Sequence, residues 1–340
     1  MSAYQPPFTI TPAILGLVEE IVENLGGWQV SAGELSPKLR RGNRIRTIQA
    51  SLAIENNTLS VEQVTAVLAG KRVLGLPREI QEVRNAFAAY EQMGGWNPAS
   101  VEDLLVAHGM LMAGLLDDAG DFRADKVGIY RGGTLLHMAP PAKRVPALMR
   151  DLLDWLARGE VSPLVASCVF HYEFEFIHPF SDGNGRMGRL WQTLILTRWK
   201  PLLAYLPVES VIREQQAAYY QALAEADSAA EATPFVVYML QALLTAMQEM
   251  ALTDQVTDQA TDQVTDQVTD QVKRLLAVFA DNRTLKASEL METLALQHRP
   301  TFRNNYLNPA LAAGLIEMTQ PGSPRSPAQQ YRLTAKGRAQ

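Results

Sequence analysis

The stretch from Leu164 to Leu196 leaves the chain little conformational freedom. Leu164 to Ile177 carries Val165, Val169, Tyr172 and Phe176 at helical spacing with no breaker, which predicts a buried helix. His178 precedes Pro179, and a proline pushes its predecessor out of the helical region, so the helix ends there. Asp182-Gly-Asn-Gly185 is turn chemistry. From Arg186 the helical pattern resumes through Leu190, Leu194 and Leu196. The prediction is a helix, a tight loop and the start of a second helix.

That loop carries chemistry. A glycine turn feeding a helix N-terminus leaves backbone N–H groups aimed at one spot, and the helix dipole adds partial positive charge. Such a nest binds anions. Arg186 and Arg189 lie three apart on the first turn and can fork onto phosphate oxygens. Asp182 is a hard oxygen ligand suited to a phosphate-bridging Mg²⁺. His178 sits at the front edge as a general base. An ordinary helix start with a satisfied histidine explains a lone Gly-Asn-Gly turn, but not the whole string from His178 to Arg189.

The string His178-Pro-Phe-Ser-Asp-Gly-Asn-Gly-Arg-Met-Gly-Arg189 resembles the HPFx(D/E)GNGRxxR signature of Fic domains at every specified position. The resemblance implies a mainly α fold: a helical bundle with a small β-hairpin flap. It also implies Mg²⁺-dependent transfer of AMP from ATP to a Ser, Thr or Tyr hydroxyl of a protein. By the same resemblance, His178 deprotonates the hydroxyl and Asp182 holds Mg²⁺ against the α- and β-phosphates. Asn184 and the N–H groups around Gly183 and Gly185 take the α-phosphate, Arg186 the β-phosphate and Arg189 the γ-phosphate. Phe180 anchors the loop in the core.

A second signal lies upstream. Arg41 to Ile54 reads as a helix, closed by Ser51-Leu-Ala-Ile-Glu55-Asn56. This is similar to the (S/T)xxxE(G/N) inhibitory motif that many Fic proteins carry before the core. The resemblance pairs Glu55 with Arg189, where a carboxylate takes the γ-phosphate's place. Some members of the family use the same glutamate to remove AMP. A solvated helix face is the plain alternative for Ser51 and Glu55.

Between the two, Phe122 to Pro141 has short apolar runs flanking Gly132-Gly133 and reads as a β-hairpin. It resembles the Fic flap, in which Gly132, Gly133, Thr134, Leu135, Leu136 and His137 would hold a target segment by strand pairing. A hairpin that merely covers a helix end fits the same residues. Tyr219 and Tyr220 fall where related proteins line the nucleotide pocket, with Asp227 at a position expected to be Asn. Paired helical tyrosines also serve simply as packing. Glu175 and His178 echo a carboxylate-bridged metal pattern, but one Glu-x-x-His pair ending in His-Pro does not complete it. His171 reads as a structural histidine, and His108 carries no assignment.

The chain divides near residue 252. Residues 253–272 are five tetrads, four Thr-Asp-Gln-Val and one Thr-Asp-Gln-Ala. We read them as a partly helical linker, although the period also fits a helix packing on a partner. Residues 273–340 hold ten Lys or Arg against four Asp or Glu, a net of +6, which leaves −11 on the rest of a chain of −5. Their pattern predicts helices over Val272–Phe279, Ala287–Leu296 and Thr301–Ala313, then strands over Leu315–Thr319 and Gln330–Leu333. That is a winged helix-turn-helix domain, and Tyr306 to Ile316 resembles the third helix of such domains in Fic and regulator proteins. Arg299, Arg303, Asn304 and Asn305 would then face DNA, or the domain would dock protein. The expected order is an N-terminal helical region to residue 110, the Fic core over 111–252, the linker, and the winged helix over 273–340.

Cys168 is the chain's single cysteine, so no internal disulfide forms, and a reducing, cytoplasmic compartment is expected. No secretory signal and no membrane span are expected. The target is a protein hydroxyl, that of the chain itself included, and a homodimer is compatible with the pattern. A rival reading is a DNA-binding regulator whose core only senses nucleotide. A third transfers another group, UMP or phosphate.

Overall fold

The computed structural model describes residues 3–31, 37–131, 134–266, 270–279, 284–294, 296, 302–312, 314–320 and 329–338. The larger unit runs over residues 1–251 and the smaller over 252–340. In the larger unit the helices are α1 (Pro12–Ser31), α2 (Pro37–Ile54), α3 (Val61–Leu68), α4 (Pro77–Gln92) and α5 (Val101–Leu111). A hairpin of β1 (Gly128–Arg131) and β2 (Thr134–Met138) follows. Then come α6 (Val145–Arg158), α7 (Pro163–Ile177), α8 (Asn184–Trp199), α9 (Val208–Glu214), α10 (Gln216–Ala229) and the start of α11 (Thr233–Asp266), which runs past residue 251.

Helix α7 is the centre of this unit because it has no polar face to spare. Leu164 to Phe174 are all buried, as a helix apolar around its circumference must be. Helix α8 packs along it and buries Met187, Leu190, Trp191 and Leu194. One hydrophobic core takes residues from Ile14 to Met250, with no break near residue 110, so the expected N-terminal region and core are packed as one body.

The turn after α2 is tied down. Glu79 Oε1 on α4 accepts from the Thr58 N–H at 2.7 Å and from Thr58 Oγ1 at 2.8 Å. Those bonds hold the Glu79 carboxyl below the usual carboxylate range. Asn57 donates to Glu82 Oε2 at 2.9 Å and to Glu79 O at 3.2 Å. Ser60 opens α3 with a capping box closed by Gln63. Asn56 takes up left-handed backbone, φ 68°, which ends α2 and aims Glu55.

Strands β1 and β2 pair antiparallel, Gly128 with Met138 and Arg131 with Thr134, with an irregularity between Ile129 and Tyr130. The expected Gly132-Gly133 turn lies outside the described residues.

The tetrad repeat is described as far as Asp266. Through Asp266 it continues α11 as helix. The tetrad contains neither glycine nor proline, so nothing in it stops a helix already propagating from an apolar segment.

The smaller unit has α12 (Asp270–Val278), β3 (Leu285–Lys286), α13 (Ala287–Thr293), α14 (Asn308–Ala312), β4 (Ile316–Met318), β5 (Gln330–Leu333) and α15 (Ala335–Arg338). Its sheet has the order β3-β5-β4, antiparallel throughout. The helix and strand order is as expected, with three corrections. The second helix ends at Thr293. The third is split, a π-helical turn over Arg303–Leu307 preceding α14. Pro309 has no N–H to give the preceding turn, which accounts for that wide turn. Strand β3 was not anticipated, since two residues carry no alternation to read. Val272, Leu275, Phe279, Phe302, Tyr306 and Ile316 belong to the core of this unit.

Candidate active site

His178 caps α7 in the left-handed region, φ 49°, with its N–H bonded to Phe174 O at 2.9 Å. A non-glycine residue sits there only when its surroundings hold it. Arg123 does so. Its Nε donates to His178 O at 2.7 Å and its Nη2 to Ile177 O at 3.3 Å. The same guanidinium donates to Asp125 O at 2.7 Å and Pro140 O at 2.6 Å, on either side of the hairpin.

The loop is locked from within. Phe180 is fully buried and stacks on His108, ring centroids 3.6 Å apart. Asn184 Oδ1 accepts from the Phe180 N–H and its Nδ2 donates to Phe180 O, both at 2.9 Å. One amide N–H and one lone pair of Asn184 thus close the loop, and its second N–H is not used by these two bonds. His108 Nδ1 accepts from the Gly120 N–H at 2.9 Å, so its Nε2–H is free to donate to Asp182 O at 3.0 Å. Burial lowers the His108 pKa and keeps that tautomer neutral. Gly183 is left-handed at φ 84°, and a Cβ there would lie 2.8 Å from Met112 Sδ. No side chain caps α8, so its first N–H groups remain directed at the loop mouth.

The two signature arginines are both occupied by carboxylates. Arg189 Nη2 donates to Glu55 Oε1 at 2.8 Å. Its Nε donates to Ser51 Oγ and its Nη2 to Ser51 O, each at 3.0 Å. Burial works against the Arg189 charge, but Glu55, Tyr219 and Glu175 together outweigh it and raise the pKa. Arg186 is buried. Its Nη2 lies 3.2 Å from Asp182 Oδ1, its Nη1 3.6 Å from Glu82 Oε1, and its Nε has no hydrogen-bond partner among the described residues. Asp182 also accepts from the Gly183 N–H at 2.6 Å and from Arg78 Nη2 at 3.2 Å. The Glu175 side chain, 12% exposed, lies beside them, and desolvation, opposed by Arg189, pushes its carboxyl up to about 7.

Of the two tyrosines, Tyr219 is in the core. His171 Nδ1 donates to Gln192 Oε1 at 2.6 Å, which leaves its Nε2 to accept from Tyr219 OH at 3.2 Å. Tyr220 is half-buried, and its ring meets that of Tyr219 edge-on. Asp227 accepts from Tyr172 OH at 2.9 Å. For the hairpin residues Thr134 to His137 the strand is described; in the smaller unit Arg303 is exposed and Arg299 lies outside the described residues. Asn304 and Asn305 fall in the π-helical turn.

Residues 98–196 match the family model Fic/DOC family, and residues 270–334 match Filamentation induced by cAMP protein Fic-like, C-terminal domain. The crystal structure of a Fic family protein from Desulfovibrio desulfuricans G20 is 63% identical, covers 98% of this chain and 99% of that one, and superposes with a TM-score of 0.74. The chain belongs to the Fic family. Protein adenylyltransferase fic-1 of Caenorhabditis elegans is 32% identical over 204 residues, which is 56% of this chain and 37% of that protein. Protein adenylyltransferase Fic of Drosophila erecta is 28% identical over 226 residues, 61% of this chain and 42% of that one. The chain spans about two fifths of the length of these curated relatives. The structure of Fic-1 from C. elegans, 24% identical with a TM-score of 0.57 over 72% of each chain, shares the fold. No helix among the described residues is long and apolar enough to cross a membrane.

Four residues of this Fic site escaped the sequence reading: His108, Arg123, Arg78 and Glu82. Each is a single polar residue remote in sequence from the loop it serves, and no local pattern marks it.

Proposed function

We propose that this Fic protein moves AMP from ATP to a Ser, Thr or Tyr hydroxyl of a protein, its own chain included, and that Glu55 holds it in check. The observation that carries the reading is the Glu55–Arg189 pair at 2.8 Å, inside a signature loop that every local contact braces. The arginine that would grip the far end of the triphosphate already holds an anion.

The steps follow from the residues. The triphosphate lies over the α8 N-terminus, where first-turn N–H groups and the helix dipole receive negative charge. Arg186 and Arg189 take phosphate oxygens once their carboxylates yield them. His178 accepts the hydroxyl proton, the hydroxyl oxygen bonds to the α-phosphorus, and pyrophosphate leaves. Arg123 keeps the His178 backbone in place throughout. Asp182 is a single, partly exposed carboxylate at the loop mouth. That suits Mg²⁺, which takes one or two carboxylates together with substrate phosphates and waters. Asp182 would hold the ion, which would supply positive charge against the phosphates. Strand pairing along β2 is the proposed hold on the target segment.

The test is intact mass spectrometry of the Glu55→Gly protein incubated with Mg²⁺ and each nucleoside triphosphate. An AMP adduct that disappears with His178→Ala supports the reading. A UMP or phosphate increment replaces the transferred group. Loss of a preformed AMP adduct that requires Glu55 identifies the reverse reaction. No adduct from any triphosphate, together with nucleotide-dependent binding of a defined DNA site, replaces the enzyme with a regulator.

A further inference from the structure

No step above uses Glu175, yet it lies one turn before His178 on α7. Its Oε2 is 3.9 Å from His178 Nδ1, and its main-chain oxygen is 3.4 Å from the same nitrogen. Glu175 Oε1 is buried and has no hydrogen-bond partner among the described residues. Helix α8 makes room for it: a Cβ on Gly188 would lie 3.1 Å from Glu175 Oε1 and 2.9 Å from His171 Cδ2. Every other charged or titratable group that faces this carboxyl has a known neighbour. His171 on α7 is 4.0 Å away, with both ring nitrogens engaged by Gln192 and Tyr219. Arg189 on α8 is held by Ser51 and Glu55, and Glu55 reaches in from the end of α2. Tyr219 and Tyr220 on α10 feel the Glu175 charge from the remaining side.

A general base must present a bare nitrogen to the proton it takes. For a neutral histidine this means that the proton sits on the other nitrogen, and whatever that N–H faces decides the tautomer. We propose that Glu175 is a positioning residue for adenylyl transfer: it keeps the His178 proton on Nδ1, leaves Nε2 bare for the target hydroxyl, and stabilises the imidazolium that forms. The inference rests on the transfer reaction proposed above. The balance is simple. The hydroxyl proton moves to Nε2, the oxygen–phosphorus bond forms, the bond to pyrophosphate breaks, and Glu175 itself exchanges no proton. The main-chain oxygen can orient the ring alone, but it has no net charge with which to favour the imidazolium. A carboxylate placed in a dry site has that charge, and its ordinary cost is the burial that raises its own pKa.

The test reads the ring directly. Long-range ¹H–¹⁵N spectra of the full chain labelled at its five histidines, recorded without nucleotide, report tautomer and titration midpoint, and His178→Ala assigns the signal. In the unsubstituted protein the neutral ring carries its proton on Nδ1. Glu175→Gln is expected to lower the His178 midpoint by about one pH unit, the lower end of the effect of an opposite charge within ~4–6 Å, and to mix the tautomers. Glu175→Asp shifts it less, in the same direction, and decides the matter if the Gln variant does not fold. In the Glu55→Gly background, Glu175→Gln moves the acid limb of kcat/KM to lower pH while the plateau falls. A purely structural role lowers the plateau and leaves the limb where it was. An unchanged midpoint and tautomer in the variants that fold overturns the proposal. No nucleotide enters the spectra, so a protein that never transfers AMP refutes the function without deciding this point.

Discussion

Glu55 Oε1 and Arg189 Nη2 stand 2.8 Å apart across 134 residues of sequence, and the two partners are unequally free to move. The Arg189 side chain is 1% exposed and is held twice more by Ser51, whereas the Glu55 side chain is 35% exposed and follows a helix end. Under the proposed function, an anion arriving at Arg189 would displace the carboxylate and not the guanidinium. Glu55 sits just before the turn that Asn57 and Thr58 bind to α4.

The first prediction follows from that asymmetry. Glu55→Gly should raise the initial rate of AMP transfer about tenfold or more, each tenfold corresponding to ~1.4 kcal/mol. Glu55→Gln, which keeps a hydrogen-bonding oxygen but not the charge, should fall between. Radiolabel incorporation measures both. Equal rates for Glu55, Gln and Gly proteins would mean that Arg189 is not the contested group.

The second concerns the loop. His108→Phe keeps a ring against Phe180 but strands the Gly120 N–H and the Asp182 carbonyl, which His108 now satisfies. Leaving buried groups unpaired costs roughly 1–3 kcal/mol each. We expect a lower unfolding midpoint in urea and at least about a tenfold loss of transfer in the Glu55→Gly background, since the carbonyl left without its donor belongs to Asp182. A variant as active as its parent would show that stacking alone holds the loop.

What the sequence made legible, and what it did not, divides along physical lines. The α7–loop–α8 unit could be read because His178-Pro179 stops one helix and the glycine turn starts another, both local effects. Glu55 and Arg189 could be paired through resemblance, since no spacing rule links residues so far apart. His108 and Arg123 could not be found at all: each acts on backbone carbonyls, and a carbonyl has no sequence identity to match. The phosphate role of Asn184 came from resemblance alone, and its bonds to both backbone groups of Phe180 have no sequence pattern that announces them. The tetrads gave a weak signal because Thr and Asp are mediocre helix formers, and weak propensity does not end a helix that has already nucleated, as α11 through Asp266 shows.

A third prediction concerns pH. Glu173 on α7 accepts from Tyr4 OH at 3.0 Å, and burial pushes its carboxyl up to about 7. The folded chain therefore keeps a proton that the unfolded chain releases near the ordinary glutamate value. Between that value and about pH 7 the native state binds more protons, so this group's contribution to stability falls as pH rises and is lost above about 7. The slope is at most ~1.4 kcal/mol per pH unit for one group. Glu173→Gln removes it. Urea midpoints from pH 5 to about pH 8 should show the variant gaining on the parent as pH rises. Parallel curves would place the Glu173 titration elsewhere.

Arg123 gives the last prediction, because it ties the hairpin to the catalytic end of α7. Its guanidinium serves the carbonyls of Ile177 and His178 on one side and those of Asp125 and Pro140 on the other. The carbonyls at a helix C-terminus have no intrahelical donors, so Arg123 supplies both their hydrogen bonds and a favourable charge at the negative end of the dipole. Lysine keeps the charge but is a point donor on a flexible stem, and cannot span four oxygens in one plane. Arg123→Lys should then retain part of the stability and lose most of the geometry. We expect a loss of about 1–3 kcal/mol for Lys and more for Ala, read from urea unfolding. Transfer should drop in both variants, because the left-handed turn at His178 is no longer held. If Arg123→Lys unfolds earlier but transfers AMP at the parental rate, the guanidinium supports the fold and the His178 turn maintains itself.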